Sequence, residues 1–264
     1  MEKLNWKRIL LLGLPIVFAV SLAITLAACM AEAGRDVGDS LFREEEESGG
    51  GDGGGGEEGD GSVEVGSEKS FSEGLAYTSL GDGACMLTGL GECRDTNVIV
   101  PAKSPSGEVV TAVGMSAFLG SSSVKTIILP EGIKSIGEYA FYESSIESVE
   151  IPSTVESIGA GAFASCRSLR SISVDVGNSR YSSLDGVLFS KDKSRLICYP
   201  SGKTEASYTV RLGVSVIESA AFLNCEHLEE IKYNGQKKDW DKIEIGANNT
   251  SLTSLTVKFL TSVK

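Results

Sequence analysis

The sequence contains a single histidine, His227, and no Cys-x-x-Cys spacing. One imidazole cannot supply the histidine ligands of common catalytic zinc sites, and structural zinc sites usually need paired cysteines. The Gly-x-Ser-x-Gly, P-loop and His-Glu-x-x-His motifs are absent as well. Asp185 and Asp192 could suggest a catalytic carboxylate pair, but Asp-Gly and Lys-Asp-Lys-Ser are typical turn sequences. We therefore predict no enzyme activity, no metal and no cofactor.

Basic residues are few: 24 lysines and arginines stand against 36 aspartates and glutamates, a formal net charge of −12. The excess is local, because Glu32–Glu73 contains 14 acidic and three basic residues, whereas the chain after Glu73 contains 21 acidic and 18 basic residues. A nearly balanced surface lacks the positive charge that binds phosphates. We therefore expect no nucleic-acid partner.

The N-terminus has the layout of a secretory signal. Lys3, Lys7 and Arg8 precede an uncharged apolar run, residues 9–28, which is followed directly by Cys29. The quartet Leu-Ala-Ala-Cys resembles the bacterial lipobox, which implies removal of residues 1–28, lipidation of Cys29 and an extracytoplasmic protein held on a membrane. Several acyl chains on one residue anchor a protein stably. The alternative is an uncleaved transmembrane helix, since about 20 apolar residues span a bilayer.

Residues 29–72 are predicted to form a disordered tether. The segment combines four consecutive glutamates, Glu44 to Glu47, with a glycine-rich stretch at 49–61. Such a composition buries too little apolar surface to offset the entropy of ordering. We expect the tether to hold the folded domain, residues 73–264, away from the membrane.

A repeat organises the folded part. Residues 129–141 and 151–163 share the pattern Leu/Ile-Pro-x-x-Ile/Val-x-Ser-Ile-Gly-x-x-Ala-Phe, and its proline and phenylalanine both recur after 22 positions. A fixed period of roughly 20–50 residues is the signature of a solenoid, in which each unit buries its apolar face against its neighbours. The sequence therefore predicts a β-rich solenoid of short strands with minor helical content.

Each residue type in the unit has a structural reason. Alternation in residues 148–151 places Val149 and Ile151 inward, and the proline after the strand ends the ladder without leaving a donor unpaired. The glycine before Ala-Phe is expected to make a tight bend. The phenylalanines should stack between coils as one ladder. This ladder comprises Phe118, Phe141, Phe163 and Phe222.

The unit Ile-Pro-x-x-Val-x-x-Ile-Gly-x-x-Ala-Phe-x-x-Cys resembles the BspA-type leucine-rich repeat of bacterial and protist surface proteins, and matches extend over residues 98–233. The resemblance implies a cell-surface leucine-rich repeat solenoid, and some members of that family are adhesins for host matrix proteins or other cells. The family also implies a β-hairpin insertion near 176–208 and a closing unit at 233–240. Residues 228–233 and 252–257 are expected to supply the last strands.

Side chains that face outward from successive strands are predicted to form a polar column that binds an extended protein or a glycan. The column comprises Thr126, Ile128, Ser148, Glu150, Ser171, Ser173, Glu230 and Lys232. Ordinary solvated strand surface is the alternative interpretation of each residue. Tyr181 and Phe189 in the hairpin are aromatic candidates, although packing of the hairpin would also explain them.

Five cysteines remain beside the lipobox cysteine. Cys166 and Cys225 follow Ala-Phe at the same spacing and are interpreted as buried small hydrophobes, as is Cys198 in an apolar strand. Cys85 and Cys93 are separated by seven residues in the N-terminal cap, and a disulfide between them is left open. The odd number leaves at least one free thiol.

Two functions fit these features. The lipobox, tether and repeats together predict a lipid-anchored, monomeric surface protein that recognises another macromolecule, as an adhesin does, without catalysis. The alternative is a structural envelope scaffold whose repeats contact other surface proteins of the same cell. An enzyme such as a glycosidase would need two carboxylates in a buried aromatic cleft.

Overall fold

The computed structural model describes residues 70–260, which form a β-rich solenoid of about eight turns. Each regular turn has a front strand, a corner that contains proline, a shorter back strand and an arc that carries Ala-Phe back to the next front strand. The solenoid predicted from the repeat is thus confirmed. Its strands are short because a turn of 22 residues must close around a core only one side chain deep on each face.

The elements follow one another with few helical residues. In chain order the strands are β1 (Ala76–Gly81), β2 (Ala84–Gly89), β3 (Asn97–Ile99), β4 (Val109–Val113), β5 (Thr126–Ile128), β6 (Ser135–Ile136), β7 (Ser148–Ile151), β8 (Ser157–Ile158), β9 (Ser171–Val174), β10 (Tyr181–Leu184), β11 (Val187–Ser190), β12 (Arg195–Cys198), β13 (Ser207–Val210), β14 (Val216–Ile217), β15 (Glu230–Tyr233), β16 (Glu244–Ile245) and β17 (Val257–Phe259). The helices are α1 (Lys237–Trp240) and α2 (Thr250–Thr253).

The strands form four sheets. The N-terminal front sheet has the order β3-β5-β7-β9 and the C-terminal front sheet the order β13-β15-β17, and both are parallel. The N-terminal back sheet has the order β1-β2-β4-β6-β8, and the C-terminal back sheet the order β10-β11-β12-β14-β16. On each side of the solenoid the sheet is therefore broken once, at the coil that contains the hairpin.

The alternation predicted for the front strands is confirmed. Val149 and Ile151 are buried in β7, whereas Ser148 and Glu150 are exposed. Pro152 follows this strand directly, at the point where its missing N–H leaves no ladder bond unmade.

The glycine before Ala-Phe has a different role from the one predicted. Neither Gly137 nor Gly159 has a positive φ, so neither is the left-handed residue of the bend. A Cβ at Gly137 would lie 2.5 Å from the backbone nitrogen of Met115 in the preceding coil. Glycine is required there because successive coils approach too closely for any side chain. The left-handed residue of the bend comes two positions later, for example at Tyr139 (φ 53°).

The phenylalanine ladder is interrupted. The rings of Phe118, Phe141 and Phe163 stack in sequence, with centroids 5.1 and 5.4 Å apart and nearly parallel planes. Phe222 stacks instead on Tyr199, with centroids 5.2 Å apart. The core divides accordingly into an N-terminal cluster that contains the first three phenylalanines and a C-terminal cluster around Phe222. The prediction of one continuous ladder was wrong: the intervening coil contributes Tyr199, which extends the stack of Phe222, and the break lies between Phe163 and Tyr199.

The hairpin insertion is shorter than predicted. Strands β10 and β11 form the hairpin, but β12 already pairs in parallel with β14, and β13 with β15. Residues 195–210 therefore form a solenoid coil, although residues 195–208 were assigned to the insertion. The last strand is also displaced: Leu252 lies in helix α2, and the strand begins at Val257.

Candidate functional site

The N-terminal front sheet presents a polar outer face. Thr126, Ser148 and Ser171 lie in register on three neighbouring strands, and Glu150 lies in register with Ser173. All except the partly buried Thr126 are exposed. Thr126 Oγ1 donates to Asn97 Oδ1 at 2.8 Å, which extends the row of hydroxyl and amide groups to β3. The face can therefore donate and accept hydrogen bonds along four adjacent strands.

The hairpin closes the edge of this sheet. The Ile172 N–H donates to Gly186 O at 2.9 Å, and the Val174 N–H donates to Ser183 Oγ at 3.2 Å. These are the donors that would otherwise pair with the next front strand, so no further strand can join at β9. The turn at Asp185 and Gly186 causes the break between the two front sheets.

Glu230 and Lys232 lie on the C-terminal front sheet, beyond this break. Lys232 Nζ lies 3.0 Å from Glu230 Oε2 and 2.9 Å from Ser207 Oγ. The hydrogen bond from Lys232 lowers the pKa of the Glu230 carboxyl, and Lys258 Nζ contributes from 3.6 Å. The predicted column is thus two separate faces, one rich in hydroxyl groups and one made of compensating charges.

The hairpin residues have mainly structural roles. Phe189 is fully buried, which removes it as a surface aromatic candidate. Asp185 and Gly186 both have positive φ in the two-residue turn, and Asp192 accepts hydrogen bonds from Ser190 and Ser194. These hydrogen bonds lower the pKa of Asp192 to about 2. The turn role predicted for both aspartates is confirmed.

The five described cysteines are free and buried. The disulfide left open between Cys85 and Cys93 is not formed: both are thiols, and Cys85 Sγ donates to Glu108 O at 3.7 Å. They lie near the Tyr77 phenol, whose pKa is raised to about 12 mainly by burial and further by the two sulfur atoms. Burial also raises the pKa of Cys166 to about 11 and of Cys225 to about 12, which confirms their interpretation as buried small side chains.

A cleft of about 340 Å³ opens between the two back sheets. One wall is the turn from Ile158 to Ala164, and the other contains Ile197 and the Glu218–Ala220 segment. The Tyr181 hydroxyl accepts the Ile158 N–H at 2.9 Å and so covers the edge of β8. At the rim Arg195 Nε donates to Glu218 Oε1 at 2.7 Å.

The cleft exists because the segment from Leu196 to Tyr199 is two residues shorter than the equivalent segment of the next coil, from Ile217 to Phe222. Leu196 is in register with Ile217, and the Tyr199 N–H donates to Ala221 O just as the Phe141 N–H donates to Ala162 O. Phe222 follows Ile217 by five positions (222 − 217), whereas Tyr199 follows Leu196 by only three (199 − 196). The missing residues belong to the turn between the back strand and the aromatic residue, which would otherwise lie beside residues 159–161.

Metal and membrane sites are not found in residues 70–260. This part of the chain has no group of three or more His, Cys, Asp or Glu side chains arranged to hold a metal ion. None of its helices is long and apolar enough to cross a bilayer. The N-terminal signal, Cys29 and most of the predicted tether lie outside the described residues.

Comparison with known families accounts for the repeat. A model described as the BspA type leucine rich repeat region matches six copies, over residues 96–205 and 197–263. The chain belongs to the BspA-type leucine-rich repeat family. Proteins with BspA-type repeats are typically binding proteins without catalytic activity.

Solved structures of leucine-rich repeat proteins are similar to the chain. A leucine-rich cell-surface protein of Faecalibacterium prausnitzii is 28% identical over 63% of this chain and 41% of its own, with a TM-score of 0.49. A leucine-rich repeat protein of Eubacterium ventriosum is 22% identical over 63% of this chain and 54% of its own, with a TM-score of 0.44. The chain thus spans about half the length of these two proteins. A search of curated proteins finds no match.

The BspA-type pattern contains a signal for the cleft that sequence reasoning missed. Glu218 occupies the position of the glycine in the regular repeats, Gly137 and Gly159. In regular coils the preceding backbone excludes a side chain at this position, so a glutamate there indicates that the preceding coil has moved away. The short spacing from Leu196 to Tyr199 is a second signal, but it is visible only once the register is known.

Proposed function

We propose that this protein is a lipid-anchored recognition module of the bacterial cell surface, which binds an extracellular protein or glycan through the N-terminal front sheet and has no catalytic activity. The observation that carries the proposal is the exposed polar row on that sheet, in which Ser148, Glu150, Ser171 and Ser173 face solvent in register. Rigid, regularly spaced hydrogen-bonding groups suit an extended ligand, because little side-chain entropy is lost on binding.

The anchoring part of the proposal rests on the N-terminal sequence. The charged start, the apolar run and the Leu-Ala-Ala-Cys quartet support export and lipidation of Cys29, and the acidic glycine-rich tether would present the solenoid to the outside. Similarity to a cell-surface protein of Faecalibacterium prausnitzii agrees with this location.

Binding is tested with the full chain in detergent micelles, applied to arrays of matrix proteins, glycans and envelope extract of the producing cell. Ser148→Arg places a long charged side chain on the N-terminal front sheet and should abolish binding. Ser157→Arg is the matched control, because it makes the same change at an exposed strand serine of the back sheet. Lys232→Glu tests the C-terminal front sheet separately.

Three results of this experiment would be informative. Saturable binding lost in Ser148→Arg and kept in Ser157→Arg supports the proposal. Retention of envelope components alone, with no host protein or glycan bound, would replace it with the scaffold function. Equal binding by all variants would show that the front sheet is not the site.

The anchor is tested by metabolic labelling with a fatty acid in the producing bacterium. The unaltered chain should incorporate label and lose residues 1–28, and Cys29→Ser should do neither. Label retained in Cys29→Ser would contradict lipidation at this residue. An unlabelled band of unprocessed length from the unaltered chain would instead indicate an uncleaved membrane helix.

A further inference from the structure

The cleft between the back sheets interrupts a regular pattern of hydrogen bonds between coils. In intact coils the N–H two residues before the phenylalanine and the N–H of the phenylalanine itself donate to the next coil. Tyr139 thus donates to Ala160 O at 3.1 Å, and Phe141 donates to Ala162 O at 2.8 Å. The acceptors are alternate carbonyl oxygens of one peptide chain.

The equivalent donors in the next coil line the cleft and have no acceptor. Among residues 70–260, neither the Gly161 N–H nor the Phe163 N–H donates a hydrogen bond to another backbone group. Gly161 has lost its acceptor because the two-residue deletion removes the corner of the following coil. The carbonyl before Tyr199, at Cys198, does not reach Phe163; instead Cys198 Sγ donates to Phe163 O at 3.8 Å.

The facing wall contributes an acceptor. Ser219 lies three positions before Phe222, as Glu138 and Ala160 lie before Phe141 and Phe163. Glu138 O and Ala160 O each accept an N–H from the preceding coil, whereas Ser219 O has no donor in the described part of the chain. The cleft therefore has two free donors on one wall and one free acceptor on the other.

From this arrangement we infer that the cleft binds a short extended peptide through its main chain, with Gly161 and Phe163 donating to alternate carbonyls of the peptide and Ser219 O accepting one of its N–H groups. Each intact coil already satisfies the same donors with a peptide chain at the same spacing, so the ligand takes the place of the missing corner. This is strand-like addition to an open edge.

The chemistry of the rim favours a neutral backbone over an anion. The Arg195 guanidinium is paired with Glu218, so the rim offers no unshared positive charge, and a carboxylate would meet the Glu218 carboxylate. Burial, the largest influence, raises the pKa of Tyr181, so its hydroxyl keeps a proton and can donate to a ligand while it accepts from Ile158.

The volume of the cleft, about 340 Å³, is at the lower end for ligand sites. This volume fits a few residues and excludes a folded domain.

The test measures amide hydrogen exchange of the full chain in detergent micelles, with a library of capped tripeptides randomised at all three positions as the probe. Without peptide, the Gly161 and Phe163 amides should exchange much faster than the Tyr139 and Phe141 amides of the intact coil. A binding tripeptide should slow the first pair and leave the second unchanged. An ester in place of its central amide, which removes one N–H, should weaken binding by roughly tenfold.

Variants separate this site from the front sheet. Ser219→Trp places an indole at the wall of the cleft and should weaken protection by the tripeptide. Glu138→Trp is the control, since it introduces the same side chain at the equivalent exposed position of an intact coil. Ser148→Arg on the front sheet should leave peptide binding in the cleft intact. Failure of one proposed site would therefore not imply failure of the other.

Several outcomes would overturn the inference. Slow exchange of Gly161 and Phe163 in the free protein would mean that these donors are already paired. Failure of every tripeptide in the library to slow them would exclude main-chain recognition. Protection by chito- or cello-oligosaccharides but not by any tripeptide would assign the cleft to a glycan.

Discussion

Tyr199 lies in the coil with the short arc, at the position where regular coils have a phenylalanine. Its ring fills the position of a phenylalanine, and its hydroxyl is buried without a hydrogen-bond partner. Burial raises the pKa of this phenol. An unsatisfied buried hydroxyl costs about 1–3 kcal/mol, so Tyr199→Phe should raise the free energy of unfolding by about 1 kcal/mol in a urea titration.

Tyr181→Phe is the matched control for this change. Its hydroxyl accepts the Ile158 N–H, so its loss should lower the stability by about 1 kcal/mol. A destabilised Tyr199→Phe would contradict the absence of a partner and would indicate that the phenol makes a hydrogen bond.

The cysteines give a second prediction at this scale. Because all five described thiols are buried and the pKa of Cys166 is raised to about 11, alkylation of the folded chain at pH 8 should be slow at every one. After denaturation without reductant, mass spectrometry should find Cys85 and Cys93 alkylated. A requirement for reduction at these two sites would show a disulfide.

The same shift predicts how stability changes with pH. The ordinary pKa of a thiol is 9.0, lower than the value of about 11 for Cys166 in the folded chain. Above pH 9 the unfolded chain releases a proton that the folded chain keeps, so stability should be full below pH 9 and should fall as the pH rises towards 11. The burial of Cys166 and Cys225 could be predicted from their equal spacing after Phe, whereas the state of Cys85 and Cys93 depends on the cap, which has no repeat to compare.

Among elements, the back strands and their glycines determine how closely coils pack. A Cβ at Gly159 would press on the Glu138 backbone nitrogen, so Gly159→Ala should destabilise the chain by about 1–3 kcal/mol. Glu218→Ala, at the equivalent position beside the cleft, loses only a partly exposed ion pair and should cost less than about 1 kcal/mol. Urea titrations of both variants check the difference. Equal losses would mean that the cleft is no more open than an intact coil.

The strands themselves were largely predictable and the connections were not. Polar and apolar alternation in residues 148–151 predicts β7 because one face is buried and the other is not. Residues 195–208 were assigned to the insertion through resemblance to the hairpin of the family, and only the parallel pairing of β12 with β14 and of β13 with β15 reveals a solenoid coil there. The prediction of a single binding column was also wrong because of a connection: the turn at Gly186 covers the edge of β9 and separates the two front sheets.

For the whole molecule, the cleft lies where the two core clusters meet. The coils on either side are linked by hydrogen bonds and one ion pair: the Gly202 N–H donates to Leu169 O at 2.8 Å, Cys198 Sγ donates to Phe163 O at 3.8 Å, Asn224 Nδ2 donates to Ser165 Oγ at 2.7 Å, and Arg167 pairs with Glu226. Cys198 also packs in the N-terminal cluster. Stability of a solenoid is approximately the sum of its repeats and of the interfaces between neighbours. An interface at the cleft that is weaker than the interfaces within each cluster would let one half open without the other.

Phe141→Ala tests this division. The ring is fully buried between two stacked phenylalanines in the N-terminal cluster, so its loss should cost about 3–5 kcal/mol. If the halves open separately, hydrogen exchange should accelerate in the N-terminal front sheet far more than in β13, β15 and β17. Phe222→Ala should produce the reverse pattern. Uniform acceleration of exchange in both variants would show that the two halves form one cooperative unit. The hairpin would then be the connection, because its Leu188 packs in one cluster and its Phe189 in the other. Neither half could open while the hairpin stays packed.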